Sequence, residues 1–192
     1  LAMRQPGQIV WLKAALERHL VEVTRATVKV AIAAGQPIGN LFAEVMTKAS
    51  KPQQAQTADR LLPLLPEQTE ALAEVALLVA KLRLERLTAK GPPKNDKQSQ
   101  DLMAAYRLVA ARHYSLGHFE DALSAAEADE RLAAQAQGPA AHAGALANLG
   151  VCLSALGRVD AALKRAQAAL AIWRRLALQR PDVHSADLAT SL

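Results

Sequence analysis

A chain of 192 residues that is 51% hydrophobic but only 3% aromatic must build its core from alanine and leucine, which suits closely packed helices and argues against a β-sandwich or barrel. The net charge of +5 sits mostly in the first segment: residues 1–60 hold eight Lys/Arg against four Asp/Glu, residues 61–100 six against five, and residues 101–192 nine against nine. The single cysteine, Cys152, excludes an internal disulfide, and no uncharged apolar run reaches the about 18 residues of a membrane span, so the cytoplasm is the expected compartment.

Ile9, Leu12, Leu16, Leu20, Val23 and Val30 keep helical spacing, which predicts one long helix or two shorter ones over residues 7–34. Gly35-Gln36-Pro37 stops that helix and starts the next, whose stripe is Ile38, Leu41, Phe42, Val45 and Met46. It ends before Ser50-Lys51-Pro52. A short helical piece follows around Thr57 to Leu62, broken at Pro63 and Pro66. Residues 1–60 read as a helical spacer or as atypical helical repeats. From Glu67 to about Lys90, Leu72, Val75, Ala76, Val79 and Leu82 predict a strong helix, and Leu77, Leu78 and Leu84 predict burial on more than one side. The segment 61–90 is thus a long helix leading onward, and the polar run of residues 91–100, opening Gly91-Pro92-Pro93, is a flexible loop and the best internal boundary.

Residues 101–192 carry a repeat. Leu116-Gly117-His118-Phe119-Glu120-Asp121-Ala122-Leu123 recurs 40 positions later as Leu156-Gly157-Arg158-Val159-Asp160-Ala161-Ala162-Leu163, an offset that marks stacked helical hairpins. Helix pairs are expected near 101–115 with 119–136 and 140–156 with 159–180, the repeats spanning about 101–138 and 141–182. Gly117 and Gly157 fall in the tight turns, where left-handed backbone angles favour glycine. The second copy is fuller, with Leu146, Asn148, Leu149, Gly150, Leu153, Ala166 and Ala169; in the first, Ala110 replaces Gly150 and Asp129 replaces Ala169. A truncated third copy begins at about residue 186, Leu192 answering Leu146. A solenoid ending in Leu188-Ala189-Thr190-Ser191-Leu192 would lack a polar capping helix, so the chain is expected to be a piece of a longer polypeptide.

This pattern of large anchors, small contact positions (Ala122, Gly150, Ala162) and turn glycines resembles the tetratricopeptide repeat. Together with Leu65-Pro66-Glu67-Gln68-Thr69-Glu70-Ala71-Leu72 and Arg180-Pro181-Asp182, it is similar to the C-terminal repeat region of bacterial STAND-type signalling NTPases. The resemblance implies an all-α, right-handed solenoid of antiparallel helix pairs, a sensor or scaffold role in signal transduction, and a protein or peptide partner. A nucleotide-binding module in the same polypeptide would lie outside this chain, which contains no Gly-x-x-x-x-Gly-Lys-Ser/Thr. By position, the groove side would show Arg107, Tyr114, Ser115, Asn148, Val151 and Ser154. Ala111, Ala147 and Val151 stand where other residues of a peptide-carboxylate clamp would be, which makes such a clamp doubtful.

Chemical motifs are otherwise sparse. The five histidines, His19, His113, His118, His142 and His184, form no i, i+4 pair, so no metal site is expected, and His113 and His118 are expected to diverge, one in a helix and one in a turn. Cys152 reads as a small buried apolar group. Glu127, Asp129 and Glu130, and the basic trio Arg174, Arg175 and Arg180, read as solvated helix faces. No nucleophile, paired acid and base, or cofactor motif is visible, so neither an enzyme nor a cofactor is expected. The alternative to an interaction module is a stand-alone adaptor or a nucleic-acid-binding regulator using Arg4, Lys13, Arg18, Arg25, Lys29, Lys48, Lys51 and Arg60, though their dispersal makes nucleic acid the lesser expectation.

Overall fold

The computed structural model describes residues 6–65, 70–136 and 138–190; the expected break at Pro66, the helix start at Glu67 and Leu192 of the third repeat lie outside the described residues. The described residues are 85% helix and hold no strand. The helices are α1 (Pro6–Ala34), α2 (Gln36–Lys48), α3 (Lys51–Leu61), α4 (Ala73–Thr88), α5 (Asp96–Ser115), α6 (Phe119–Gln135), α7 (Pro139–Ala155), α8 (Val159–Gln179) and α9 (Pro181–Thr190). Two compact units result, Leu1–Arg86 and Leu87–Leu192.

In the first unit α1 is one helix with a kink at His19 (φ −132°, ψ 34°), which accommodates both expectations for this stretch. Beyond the kink, buried Thr24 and Thr27 satisfy their hydroxyls internally, Oγ1 donating to the carbonyls of Leu20 (2.8 Å) and Val23 (3.0 Å). Leu16, Leu20, Val28 and Ala31 of α1 pack with Ile38, Phe42, Val45 and Met46 of α2, Leu61 of α3, and Leu72, Val75 and Val79 beside and within α4. Each large side chain fully buried here contributes about 1.5–3 kcal/mol of transfer free energy. The stretch from Leu16 to Leu61 thus shares one core with Leu72, Val75 and Val79 of the segment that follows.

Two boundaries differ from expectation. The third helix begins at Lys51, not Thr57, because Ser50 caps it and Gln53 Oε1 accepts from the Ser50 backbone N–H at 3.2 Å. The fourth begins at Ala73, after a turn that brings the Ala71 carbonyl so close to α2 that a Cβ on Gly39 would lie 1.6 Å from its oxygen.

In the second unit only the first half of the 91–100 stretch is loop. Asn95 caps α5, its side-chain oxygen accepting from the Gln98 N–H at 2.9 Å, and so draws Asp96 to Ser99 into the helix. Successive helices then pack in order, α5 on α6, α6 on α7, α7 on α8 and α8 on α9, with α5 also touching α7. The sequence repeat is a repeat of hydrogen bonds. His118 N–H donates to the His113 carbonyl and Gly117 N–H to that of Tyr114; 40 residues on, Arg158 N–H donates to Leu153 and Gly157 N–H to Ser154. Both ends are Schellman turns, with the glycine at φ +77° and +71°.

Small residues let the helices meet closely: Gly150 approaches the Ala162 carbonyl, where a Cβ would sit at 3.4 Å, and Ala122 is fully buried. Leu123 is buried, whereas its counterpart Leu163 is 55% exposed, because α6 lies between α5 and α7 while α8 is flanked by α7 and the short α9. The core of α7 and α8 is closed by Ala143, Leu146, Ala169, Trp173 and Leu176.

Candidate functional site

The first hairpin and α7 enclose a cavity of about 340 Å³, lined by Arg107, Ala110, Ala111 and Tyr114 from α5, Ala126 and Asp129 from α6, and Asn148, Val151 and Cys152 from α7. The helical repeat explains the set: positions 107, 110, 111 and 114 recur every three to four residues and share one face of α5. Four of the six residues expected on the groove side, Arg107, Tyr114, Asn148 and Val151, line this cavity together. Ser115 and Ser154 do not line it; Ser115 Oγ donates to the Arg112 carbonyl at 2.9 Å, and Ser154 is exposed.

At the floor lies an ion pair. Arg107 Nε donates to Asp129 Oδ2 at 2.7 Å, and Arg107 Nη2 donates to the Ala141 carbonyl at 3.3 Å, so one guanidinium ties three helices. Asp129 is fully buried, and its other oxygen, Oδ1, has no hydrogen-bond partner among the described residues. Burial pushes its carboxyl above the ordinary value of 3.8, and the Arg107 guanidinium opposes that rise. Beside it, Glu130 Oε1 meets His142 Nε2 at 3.1 Å, a second link from α6 to α7.

Asp129 and Glu130 are therefore not the solvated acidic face expected from sequence: helix α7 covers that side of α6. The signal was present in the repeat alignment. Asp129 occupies the position of Ala169, and Arg107 that of Ala147, so the first hairpin holds an ion pair where the second holds two alanines.

The rim is softer. Tyr114 is 40% exposed and Val151 51% exposed, the Tyr114 ring meeting Phe119 edge-on at a centroid distance of 5.3 Å. Asn148 offers a carboxamide at the mouth. Cys152 is buried and burial raises its thiol, which keeps it protonated. The groove thus presents apolar walls, one carboxamide and one phenol, with the Asp129 carboxylate closed off beneath them. Because Arg107 is engaged at both Nε and Nη2, it is a poor anchor for a peptide carboxylate, in keeping with the gaps in the clamp pattern.

No family model, curated protein or solved structure matches this chain.

Elsewhere, the basic residues of the first segment are partly spoken for. Lys13 and Lys48 share Glu44 at 2.9 and 2.7 Å, Lys51 faces Glu85 at 3.7 Å, and Arg60 donates to the Val21 carbonyl at 3.1 Å. The two lysines hold the Glu44 carboxyl down to about 2 from its ordinary 4.5, the hydrogen bond from Lys48 being the largest single cause and that from Lys13 the next. No helix among the described residues is long and apolar enough to cross a membrane.

The expectation that His113 and His118 diverge is overturned. Their rings turn toward each other across the α5–α6 turn, Nδ1 to Nδ1 at 3.4 Å, with Asp121 nearby. The Schellman geometry brings the last turn of α5 and the residue after Gly117 onto one side, which helix-versus-turn reasoning from sequence did not anticipate.

Proposed function

We propose that this chain is a protein-interaction module whose second unit is a right-handed, tetratricopeptide-like solenoid, and that the groove across α5, α6 and α7 receives a short peptide segment of a partner. The observation that carries the reading is the cavity's construction: three successive helices supply mostly small apolar walls over a buried, half-satisfied carboxylate. Asp129 Oδ1 is closed to solvent, so the Arg107–Asp129 pair ties the helices that shape the groove, and its open walls and rim are what an occupant meets. The occupant this favours is an extended or helical segment with a small apolar side chain for the Ala110, Ala111 and Ala126 walls and polar groups for the Asn148 carboxamide and the Tyr114 phenol.

Binding without chemistry fits the lining, in which Cys152 has no base within the set and Asp129 is committed to Arg107. On the resemblance of its repeats we further read the chain as the sensor or scaffold arm of a bacterial signalling polypeptide in the cytoplasm. An antibody raised against the chain tests that part: a native mass well above 20.5 kDa supports it, and a mass near that value favours a stand-alone adaptor.

The groove is tested by selecting displayed 12-residue peptides on the full chain and measuring the enriched ones by fluorescence anisotropy. Val151→Arg, at a half-exposed position, should weaken them at least about tenfold while leaving the melting temperature unchanged; Tyr114→Ala should weaken them as much, with a lowered melt because its ring also packs on Phe119. Enriched peptides indifferent to both substitutions would refute the groove as the binding site.

A further inference from the structure

The α5–α6 turn carries a cluster the groove does not use. His113 Nδ1 lies 3.4 Å from His118 Nδ1 and 3.6 Å from Asp121 Oδ2, and the three donor atoms all fall within 4.8 Å of one another. We propose that His113, His118 and Asp121 form a three-ligand Zn2+ site.

The distances suit that ion. With bonds of about 2.0–2.1 Å, tetrahedral zinc sets its ligand atoms about 3.3–3.4 Å apart. Two of the three edges are already near that length, the third lies within 4.8 Å, and Asp121, whose side chain is exposed, is free of packing that would hold it off. Ligand chemistry selects among cations: two imidazoles and one carboxylate suit zinc, whereas magnesium and calcium prefer all-oxygen sets. Lone pairs from two imidazole nitrogens and a carboxylate oxygen that converge this closely repel unless a proton or a metal ion lies among them.

The sibling hairpin supplies the control. At the three equivalent positions it carries Leu153, Arg158 and Ala161, yet it makes the same Schellman turn with the same hydrogen bonds. Leu153 is buried there as His113 is here, so the packing role of that position is met by leucine. The turn does not need the cluster; the cluster is an addition to it. Three protein ligands leave a fourth position, and because His118 and Asp121 are exposed that position faces solvent, open to water or to a side chain of a partner. Bound zinc would also clip the end of α5 to the start of α6.

The test is isothermal titration of ZnCl2 into the full chain, free of any histidine tag, with melting temperatures measured alongside. One ion per chain is expected, with a zinc-dependent rise in melting temperature. Co2+ in place of zinc should give the intense visible absorption of four-coordinate cobalt. His118→Arg and Asp121→Ala, which install the sibling's own residues at exposed positions, should each weaken binding at least about tenfold, since even outer-shell changes at zinc sites cost 10–100-fold. Should His113→Leu disturb folding, these two variants still decide the matter. Absence of zinc binding, or binding that both variants leave unchanged and so place at His19, His142 or His184, would overturn the assignment.

Discussion

Replacing Arg107 by alanine should be among the most damaging single changes in the second unit. It removes the guanidinium that meets Asp129 at 2.7 Å and leaves a carboxylate at 0% exposure with neither oxygen paired. Breaking a buried pair by deleting one partner costs about 3–5 kcal/mol. The Arg107 side chain is itself 36% exposed, so water can follow it out of the groove and screen what remains, and we expect about 2–3 kcal/mol. Asp129→Ala should be far milder, within about 1 kcal/mol, because the stranded guanidinium can turn to solvent and an orphan acceptor disappears with the carboxylate. The double variant copies Ala147 and Ala169 of the second hairpin and should recover to within about 1 kcal/mol of the parent, a coupling of about 2 kcal/mol.

Trp173, buried in this unit, reports the transition by fluorescence, and a Trp11→Phe background removes the exposed tryptophan of the other unit. For a unit of this size the single variant should melt on the order of 10 °C lower. The pH dependence gives an independent reading. Asp129 has a folded-state value above 3.8, so the folded protein binds that proton more tightly and stability rises as pH falls from the folded value toward 3.8. In Arg107→Ala the burial effect is unopposed, so the variant should regain more stability on acidification than the parent. A double variant as unstable as the sum of the two singles, or a single variant with no acid recovery, would refute the claim that the two side chains act as one unit.

Glycine positions give predictions of opposite sign. Gly39→Ala should cost about 3 kcal/mol or more, seen as a lowered melt of the first unit, since its Cβ would overlap the Ala71 carbonyl oxygen at 1.6 Å; Gly144→Ala, a helical site with nothing within 4 Å of the added carbon, should instead gain about 0.5–1 kcal/mol. Gly157→Ala meets no neighbour either, but at φ +71° it should lose about 1–2 kcal/mol, and Gly157→Val more; an unchanged circular-dichroism melt would mean the turn has another conformation. Glu44, held at about 2 by Lys48 and Lys13, contributes stability that is present above pH 4.5 and lost as pH falls toward 2, so melts of Glu44→Gln should show a shallower acid limb over that window.

The helices of the second unit were legible because their signals are local. Turn glycines, the spacing of Leu146, Leu149 and Leu153, and small residues where helices touch predicted the turns of both hairpins. The first unit was harder to read. Nothing in the stripe from Ile38 to Met46 says that it will pack against Leu72 and Val75, because that pairing is set by the long-range turn before α4. The early starts of α3 and α5 were missed for a simpler reason: Ser50 and Asn95 are capping residues inside segments whose proline, glycine and charge suggest loop. The groove's rim could be read from helical phase; its floor was marked only by Asp129 standing in the place of Ala169, because within its own helix Asp129 looks like one member of an acidic run until α7 is laid across it.

The two hairpins together separate what the turn and packing demand from what has been added. They share the Schellman turns and the small residues at Ala122 and Ala162. They differ where the first carries Arg107, Asp129, His113, His118 and Asp121 against Ala147, Ala169, Leu153, Arg158 and Ala161 in the second. An apolar choice at these buried positions is demonstrably compatible with the hairpin, because the second copy makes it at Ala169 and Leu153. Burying Asp129 and His113 instead sacrifices stability that alanine and leucine would have supplied. Departures from local consistency of this kind concentrate where a protein does its work. The polar residues of the first hairpin, at its groove floor and at its turn, are accordingly where partner recognition and metal binding should be sought, ahead of the exposed leucine and valine of α8.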